Sequence, residues 1–330
     1  MYKIERIGKG NITARIVADS ITHDYSTGEL SSRITTFELE YPRFCHSELM
    51  THRMFSRNAA SSRAIPVTNM IDLVESNIAR PVSWNMNKRG MQSHIAAPDD
   101  LTIVDPIDDD SYTPDELWKR ASENAILYAR AFNKAKLHKQ IVNRILEPYQ
   151  MIKVIVTATS FDNFFNLRLH ADAQHEICEL ANVMYECYSN HTPIMLDDGD
   201  WHTPYYGPGY YKASDNNAES LEDALKISCS CAAQVSYRKL NDTLEKALAI
   251  YAMLVESDPV HASAFEHCAT PITQNNVNDV AVTHMKRVYS YDEQGNATIM
   301  PYVMYGSGNF DNWIQYRQTI PNHVCHSFTK

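Results

Sequence analysis

The 330-residue sequence lacks any apolar run of the roughly 20 residues that a membrane-spanning helix needs. Its first residues, MYKIERIGKG, contain no apolar segment of the kind that a secretory signal carries. Positive charge is also scarce, since 30 Lys and Arg face 40 Asp and Glu, for a formal charge of −10. This balance argues against a protein that coats nucleic acid through a global basic face. We therefore expect a cytoplasmic protein with no membrane partner and no nucleic-acid partner.

Cysteine pairs with metal-binding spacing are missing too. The seven cysteines are odd in number and scattered, and Cys229 and Cys231 have one residue between them, where zinc sites usually have two to four. Free thiols are therefore expected in place of a disulfide framework, and no metal site is expected. The 44% hydrophobic and 21% charged residues are typical of a folded chain, long enough for one large domain or two ordinary ones.

Local patterns predict a mixture of strands and helices. Residues 34–45 alternate and are rich in β-branched and aromatic side chains, which predicts a strand that runs into a helix. Thr113, Pro114 and Glu116 supply an N-cap, a proline at the first helical position and the acid of a capping box. They predict the start of a helix that runs towards Arg144.

Longer patterns follow in the second half of the chain. Residues 152–188 and 221–255 show helical periodicity, the first with a break near Thr159. Alternation over residues 280–304 surrounds a turn-like sequence at 293–296, which predicts a β-hairpin.

Two dense polar clusters stand out from this background. Residues 51–63, THRMFSRNAASSR, contain three Arg, one His, one Asn and three Ser. The guanidinium fork matches phosphate geometry, and Ser hydroxyls and backbone N–H groups complete such a cradle. An exposed basic loop is the alternative interpretation.

The second cluster, residues 163–176, has the sequence NFFNLRLHADAQHE. On a continuous helix Arg168, Asp172 and His175 would share one stripe, at i, i+4 and i+7. The alternative is a surface ion pair, but the neighbouring aromatic pair favours a partly buried polar seam.

These residues carry a resemblance. Residues 51–63 resemble the signature of the flavin-dependent thymidylate synthases (the ThyX family). That signature is usually RHR, seven residues, S; here the chain has HR, seven residues, S, one residue and R. The stretch NLR followed by AQHEI in residues 166–177 is similar to the later NLR and AQxEI motif of that family. The segment NRILEP at 143–148 matches the segment whose arginine reaches the substrate phosphate.

The resemblance implies an α+β fold, with antiparallel sheets flanked by long helices. It implies an enzyme that reductively methylates dUMP to dTMP, with methylenetetrahydrofolate as one-carbon donor, FAD as cofactor and NADPH as reductant. It also implies a homo-oligomer, either a dimer or a tetramer.

Site residues follow from the same resemblance, position by position. The flavin-binding residues would be His52, Arg53, Asn58, Asn163, His261, Ser263 and Glu266. The dUMP-binding residues would be Glu48, Ser61, Ser62, Arg63, Arg144 and Arg168. Arg168, at the pyrimidine, and Ser61 would be the catalytic residues. Ser61 would position dUMP by hydrogen bonding, because no base is placed beside it that would make it a nucleophile.

The order of two further segments departs from the family. AQVSY at 233–237 and HASAFEH at 261–267 resemble segments that in the family precede the arginine motif, yet here they follow it. Residues 313–317 also align without a gap on residues 49–53.

This order predicts one unit, residues 1–330, with an internally duplicated α/β half. Its parts would be a first half with the arginine motif (1–97), a helical segment with loops (98–220) and a second half with the FEH segment (221–330).

Several positions differ from the family pattern. Thr51 replaces the first Arg of the signature, Ala59 replaces an acidic residue, and Asp172 stands where His is common. These differences leave two alternatives open. One is a 5-hydroxymethyltransferase acting on dUMP or another pyrimidine nucleotide, in which water traps the methylene intermediate. The other is a non-catalytic nucleotide-binding homologue.

Overall fold

A computed structural model describes residues 5–25, 27–90, 92–238, 240–280, 282–291, 297–325 and 327. In these ranges no helix combines the length and apolar character that crossing a membrane requires. All seven cysteines are free thiols. The architecture is α+β, with antiparallel sheets and helices packed on them.

Residues 5–195 contain the strands of the central sheet, the separate pair β5 and β6, and the helices α1 to α6. Their elements are β1 (Glu5–Ile7), β2 (Thr13–His23), β3 (Leu30–Pro42), α1 (His46–Met50), β4 (Ser56–Ala59), α2 (Val67–Ser76), β5 (Ile103–Val104), β6 (Ser111–Tyr112), α3 (Pro114–Lys134), α4 (Lys139–Val142), β7 (Met151–Ala158), α5 (Asp162–Arg168), α6 (His175–Ser189) and β8 (Ile194–Met195). The sheet has the order β1-β2-β3-β7-β4, all antiparallel, with β8 added parallel to β2.

The remaining residues form helices and two smaller sheets. Their elements are β9 (Trp201–His202), β10 (Tyr210–Tyr211), α7 (Leu221–Gln234), α8 (Leu244–Val255), β11 (Ala269–Pro271), α9 (Val277–Val280), β12 (Val282–Tyr291), β13 (Ala297–Ser307), β14 (Phe310–Asp311) and β15 (Trp313–Gln315). One sheet has the order β10-β9-β11-β15 and the other β12-β13-β14. The pairing of β12 with β13 confirms the predicted hairpin, whose turn at 293–296 lies outside the described residues.

The two faces of the central sheet differ because successive strand residues point to opposite sides. Phe37 and Leu39 of β3 and Val156 of β7 belong to an apolar core that packs against α1, α5 and α6. Thr36 of β3 and Thr157 of β7 point to the other face, where residues beyond 195 cover them. The candidate active site includes residues from both faces of the sheet.

The predicted helix at 152–188 is wrong in its first part. Residues Met151–Ala158 form β7, a central strand, and the helices α5 and α6 follow it. The sequence MIKVIVTA is apolar almost throughout, because this strand is covered on both faces. A short apolar run of this kind does not distinguish a buried strand from a buried helix.

Two other helices are shorter than predicted. The capping box at Thr113 is confirmed, but the helix ends at Lys134, and Lys136 adopts a left-handed conformation with φ 60° that stops it. The pattern at 221–255 divides into α7 and α8, because Arg238 is left-handed (φ 55°) and Thr243 caps a new helix.

The predicted internal duplication is not confirmed. Residues 49–53 form the end of α1 and the turn after it, whereas residues 313–317 form β15 and the start of the 3-10 helix Tyr316–Thr319. The aligned segments therefore have different secondary structures.

Candidate active site

Arg168 is the last residue of α5 and connects the two polar clusters of the sequence. Its Nε donates to Nε2 of His52 at 3.0 Å, across 116 positions of the chain. Its Nη2 donates to Oγ1 of Thr51 at 3.0 Å and to the carbonyl oxygen of Glu48 at 3.3 Å. The arginine motif and the NLR motif therefore meet at this guanidinium. However, α5 ends at Arg168 and α6 begins at His175, so the predicted helical stripe through Asp172 is wrong.

His52 is a buried, neutral acceptor for Arg168. Burial, together with the positive charges of Arg168 and Arg57, lowers its pKa to about 4. The ring stacks on Phe55, with centroids 5.7 Å apart, and meets the edge of Phe164 at 4.9 Å. Because Nε2 accepts from Arg168, the ring proton lies on Nδ1. His52 thus orients the guanidinium without competing for a negatively charged ligand.

A cavity of about 530 Å³ opens beside Arg168. Glu48, Trp84, His94 and Asp172 lie in its wall, and Oδ1 of Asp172 is 3.2 Å from Nε2 of His94. The volume falls in the range of small-ligand sites, and its wall combines aromatic rings with charged groups. Across the described ranges, no cluster of three or more His, Cys, Asp or Glu could hold a metal ion.

A second group of charges lies just after β4 and is organised by Glu147. One oxygen, Oε1, accepts from Oγ of Ser62 at 3.0 Å and from Nη1 of Arg144 at 2.8 Å, and it forms an ion pair with Nη2 of Arg43 at 3.0 Å. Each guanidinium keeps further donors for an anion. Arg43 and Glu147 were not predicted. Glu147 could have been found from its position three residues after Arg144. Arg43 is distant in sequence from the other members of this group.

The AQVSY segment, although late in the chain, lies against the arginine motif. The backbone N–H of Ser61 donates to the carbonyl oxygen of Ser236 at 3.1 Å, and Oγ of Ser236 donates to that of Ala59 at 3.4 Å. The side chain of Arg63 is exposed next to this junction. The unexpected order of motifs along the chain is thus compatible with their meeting in space.

The HASAFEH segment reaches the same region. Glu266 forms an ion pair with Arg317, and its negative charge partly opposes the lowering of the Arg57 pKa by burial. His261 and Ser263 of the same segment are exposed. Arg57 and Arg317 were not among the predicted site residues, although Arg57 belongs to the first polar cluster.

The other predicted flavin residues differ in their surroundings. Arg53 and Asn163 are exposed. Asn58 lies in β4 and is 9% exposed, and its buried Oδ1 has no hydrogen-bond donor in the part of the chain that the structure describes. A buried carbonyl oxygen without a donor is rare in proteins, so Asn58 offers an acceptor to a ligand.

Comparison with known proteins identifies the family. The family model of the thymidylate synthase complementing proteins (Thy1) matches residues 12–194, more than half of the chain. The chain belongs to the flavin-dependent thymidylate synthase family. No curated protein matches it.

Among solved structures, one similar to this chain is a UMP/dUMP methylase, PolB from Streptomyces cacaoi, bound with 5-Br dUMP. The identity is 17% and the TM-score 0.38, over 56% of this chain and 91% of the other. A likeness this distant carries no argument about function.

Proposed function

We propose that this member of the family is a flavin-dependent thymidylate synthase, which reductively methylates dUMP to dTMP with methylenetetrahydrofolate, FAD and NADPH. The contact between Arg168 and His52 carries the proposal, because it joins two motifs 116 residues apart beside a ligand-sized cavity. A neutral His52 leaves the positive charge of Arg168 available for a pyrimidine that becomes negative at its carbonyl oxygens.

The residues around Asn58 fit a flavin. Its unpartnered Oδ1 would accept from a flavin N–H or hydroxyl group, and nearby Arg and His side chains would donate to phosphates. The residues that would hold the cofactor are His52, Arg53, Asn58, Asn163, His261, Ser263 and Glu266. When bound, reduced FAD would supply the electrons that turn the transferred one-carbon unit into a methyl group.

The substrate would lie between Arg168 and the group around Glu147. Ser61, Ser62, Arg63 and Arg144 would bind the phosphate, and Glu48 would face the base from the cavity wall. Arg63 and Arg144 are exposed, which fits the prediction that the site is completed in a homo-oligomer.

The product of the purified protein tests the proposal. We expect yellow protein and, from dUMP, methylenetetrahydrofolate, FAD and NADPH, a product with the mass of dTMP. A product heavier by one oxygen would assign the hydroxymethyltransferase instead. A colourless protein that takes up neither FAD nor dUMP would rule out both enzymes.

Arg168→Ala should reduce kcat/KM by about 100-fold or more, because the variant removes the charge that stabilises the developing oxyanion. A matched control is Arg130→Ala, which removes an exposed guanidinium paired with Glu75 and should leave the rate unchanged. Steady-state rates and circular dichroism of both variants make the comparison. Equal rates for wild type and Arg168→Ala would contradict the proposed role.

A further inference from the structure

Five side chains form a continuous hydrogen-bonded chain across the polar face of the central sheet. Oγ of Ser20 lies 2.9 Å from Nδ1 of His202, whose Nε2 lies 2.8 Å from Oγ1 of Thr36. Thr36 is 2.8 Å from Oγ1 of Thr157, which is 2.8 Å from Nδ1 of His267. All five are 0% exposed. Nothing in the proposed chemistry uses these groups.

The chain of side chains joins two parts of the molecule. Ser20, Thr36 and Thr157 come from β2, β3 and β7, within the residues that match the family. The two histidines come from outside that match. The network therefore connects the later part of the chain to the central sheet through hydrogen bonds.

Both histidines can take part only as neutral rings. Burial lowers the pKa of His202 and of His267 to about 3, and His202 adds to the effect on His267. A neutral imidazole donates from one nitrogen and accepts at the other. The hydrogen bonds can run from the Ser20 hydroxyl through His202, Thr36 and Thr157 to Nδ1 of His267, or in reverse. In both directions each threonine hydroxyl donates once within the network. Nε2 of His267 has no hydrogen-bond partner among the described residues.

His267 is also the end of the segment that reaches the candidate site. It closes the 3-10 helix Ala262–His267 and directly follows Glu266. Nε2 of Gln315 donates to the carbonyl oxygen of Glu266 at 3.3 Å and to Oγ of Ser56 at 3.2 Å, which holds this helix beside β4. Through its ring, His267 anchors the same helix to β7.

We propose that the chain Ser20–His202–Thr36–Thr157–His267 is a positioning network that holds residues 261–267 in the flavin-binding arrangement. His267 acts as a positioning residue. The expected effect on flavin rests on the proposed function, whereas the effect on the segment itself does not.

Neighbouring threonines on opposite faces of β3 provide a matched test. Thr36→Val and Thr157→Val remove hydroxyls from the network, while Thr35→Val removes an equally buried hydroxyl that donates to Oδ1 of Asp19 at 2.7 Å on the other face. All three variants lose buried hydrogen bonds, so all three should be destabilised. Thr157→Ser keeps the hydroxyl.

Two measurements separate positioning from stability. Hydrogen exchange of the peptide covering residues 261–267 should be faster in Thr36→Val and Thr157→Val and unchanged in Thr35→Val and Thr157→Ser. The Kd for FAD, from flavin fluorescence, should rise about ten-fold in the first two variants, equivalent to about 1.4 kcal/mol, and stay within about two-fold in the others.

Each outcome decides a separate claim. If Thr36→Val and Thr157→Val match Thr35→Val in both measurements, the network does not position the segment. If exchange is faster as expected but the wild type binds no FAD, the positioning stands and the proposed function fails. If the valine variants do not fold, His267→Leu, which removes the ring nitrogen bonded to Thr157, should show the same faster exchange, and exchange equal to that of the wild type would overturn the positioning role.

Discussion

The two faces of the central sheet make different kinds of contact along β3. On one face, Phe37, Leu39 and Val156 pack into an apolar core with α1, α5 and α6. On the other face, residues beyond 195 cover the buried Thr36 and the partly buried Glu38 of the same strand, through hydrogen bonds to His202 and Tyr205. Because successive side chains of β3 alternate, one strand packs apolar side chains on one face and makes hydrogen bonds on the other.

Glu38 shows what the polar face requires. Burial alone would raise its pKa, but Lys153 and Arg15 and the hydroxyl of Tyr205 together hold it below the usual value. Contacts of this kind favour one docking position, because a shift of the later segment takes the Tyr205 hydroxyl away from the partly buried Glu38 carboxylate. On the first face the apolar side chains contribute mainly through their buried area, and the buried Asp19 carboxylate pairs with Arg33 there.

A large expected effect concerns acid. His202 and His267 have a pKa of about 3 in the folded protein, whereas an unfolded histidine titrates near 6.5. Between these values the unfolded chain binds more protons, so stability falls as the pH falls below 6.5. Two such groups cost about 3 kcal/mol between pH 6.5 and pH 5.

Urea unfolding between pH 6.5 and pH 5 measures this loss. The double variant His202→Gln/His267→Gln cannot take up these protons, so its stability should depend less on pH than that of the wild type. His46 and His52, whose pKa values burial also lowers to about 4, remain in both proteins and cancel in the comparison. Parallel pH profiles would show that the buried pair does not control acid sensitivity.

A second pair of variants compares the faces directly. Phe37→Ala should lower the free energy of unfolding by about 3–5 kcal/mol, because it leaves a cavity next to Phe161, whose ring lies 5.3 Å away. Thr36→Val, one position earlier, should lower it by about 1–3 kcal/mol, because it leaves buried polar atoms without a partner. Denaturant midpoints at pH 7.5 give both values. A larger loss for Thr36→Val would mean that the polar face dominates the stability.

The sequence predicted the fold best where its pattern was local. Thr113 begins its helix as expected because a capping box needs only neighbouring residues. The strand β7 was missed because a central strand covered on both faces loses its alternation. The polar face was not predictable, since its partners lie far apart along the chain, 166 positions in the case of Thr36 and His202.

The candidate site divides in the same way. Motif spacing pointed to His52 and Arg168, and the structure brings them into contact. Arg43 and Glu147 were missed because their role arises only when Asn143–Tyr149 folds as a 3-10 helix against the turn Arg43–Cys45. Sequence motifs therefore indicated the centre of the site, and tertiary contacts supplied its surroundings.

The smallest expected effect comes from the same substitution made on each face. Tyr205→Phe removes a hydroxyl that donates to Oε2 of Glu38 at 2.8 Å, and Tyr41→Phe removes one that lies 2.7 Å from Nδ1 of His46. Since bonds to charged groups are worth more, we expect losses of about 1.5–3 and about 0.5–1.5 kcal/mol respectively. The pKa of Glu38 should also rise in Tyr205→Phe, which would make only that variant more sensitive to acid. If the two variants lost the same stability at pH 7.5, and again at pH 5, the bond to the Glu38 carboxylate would be worth no more than the bond to the neutral His46 ring.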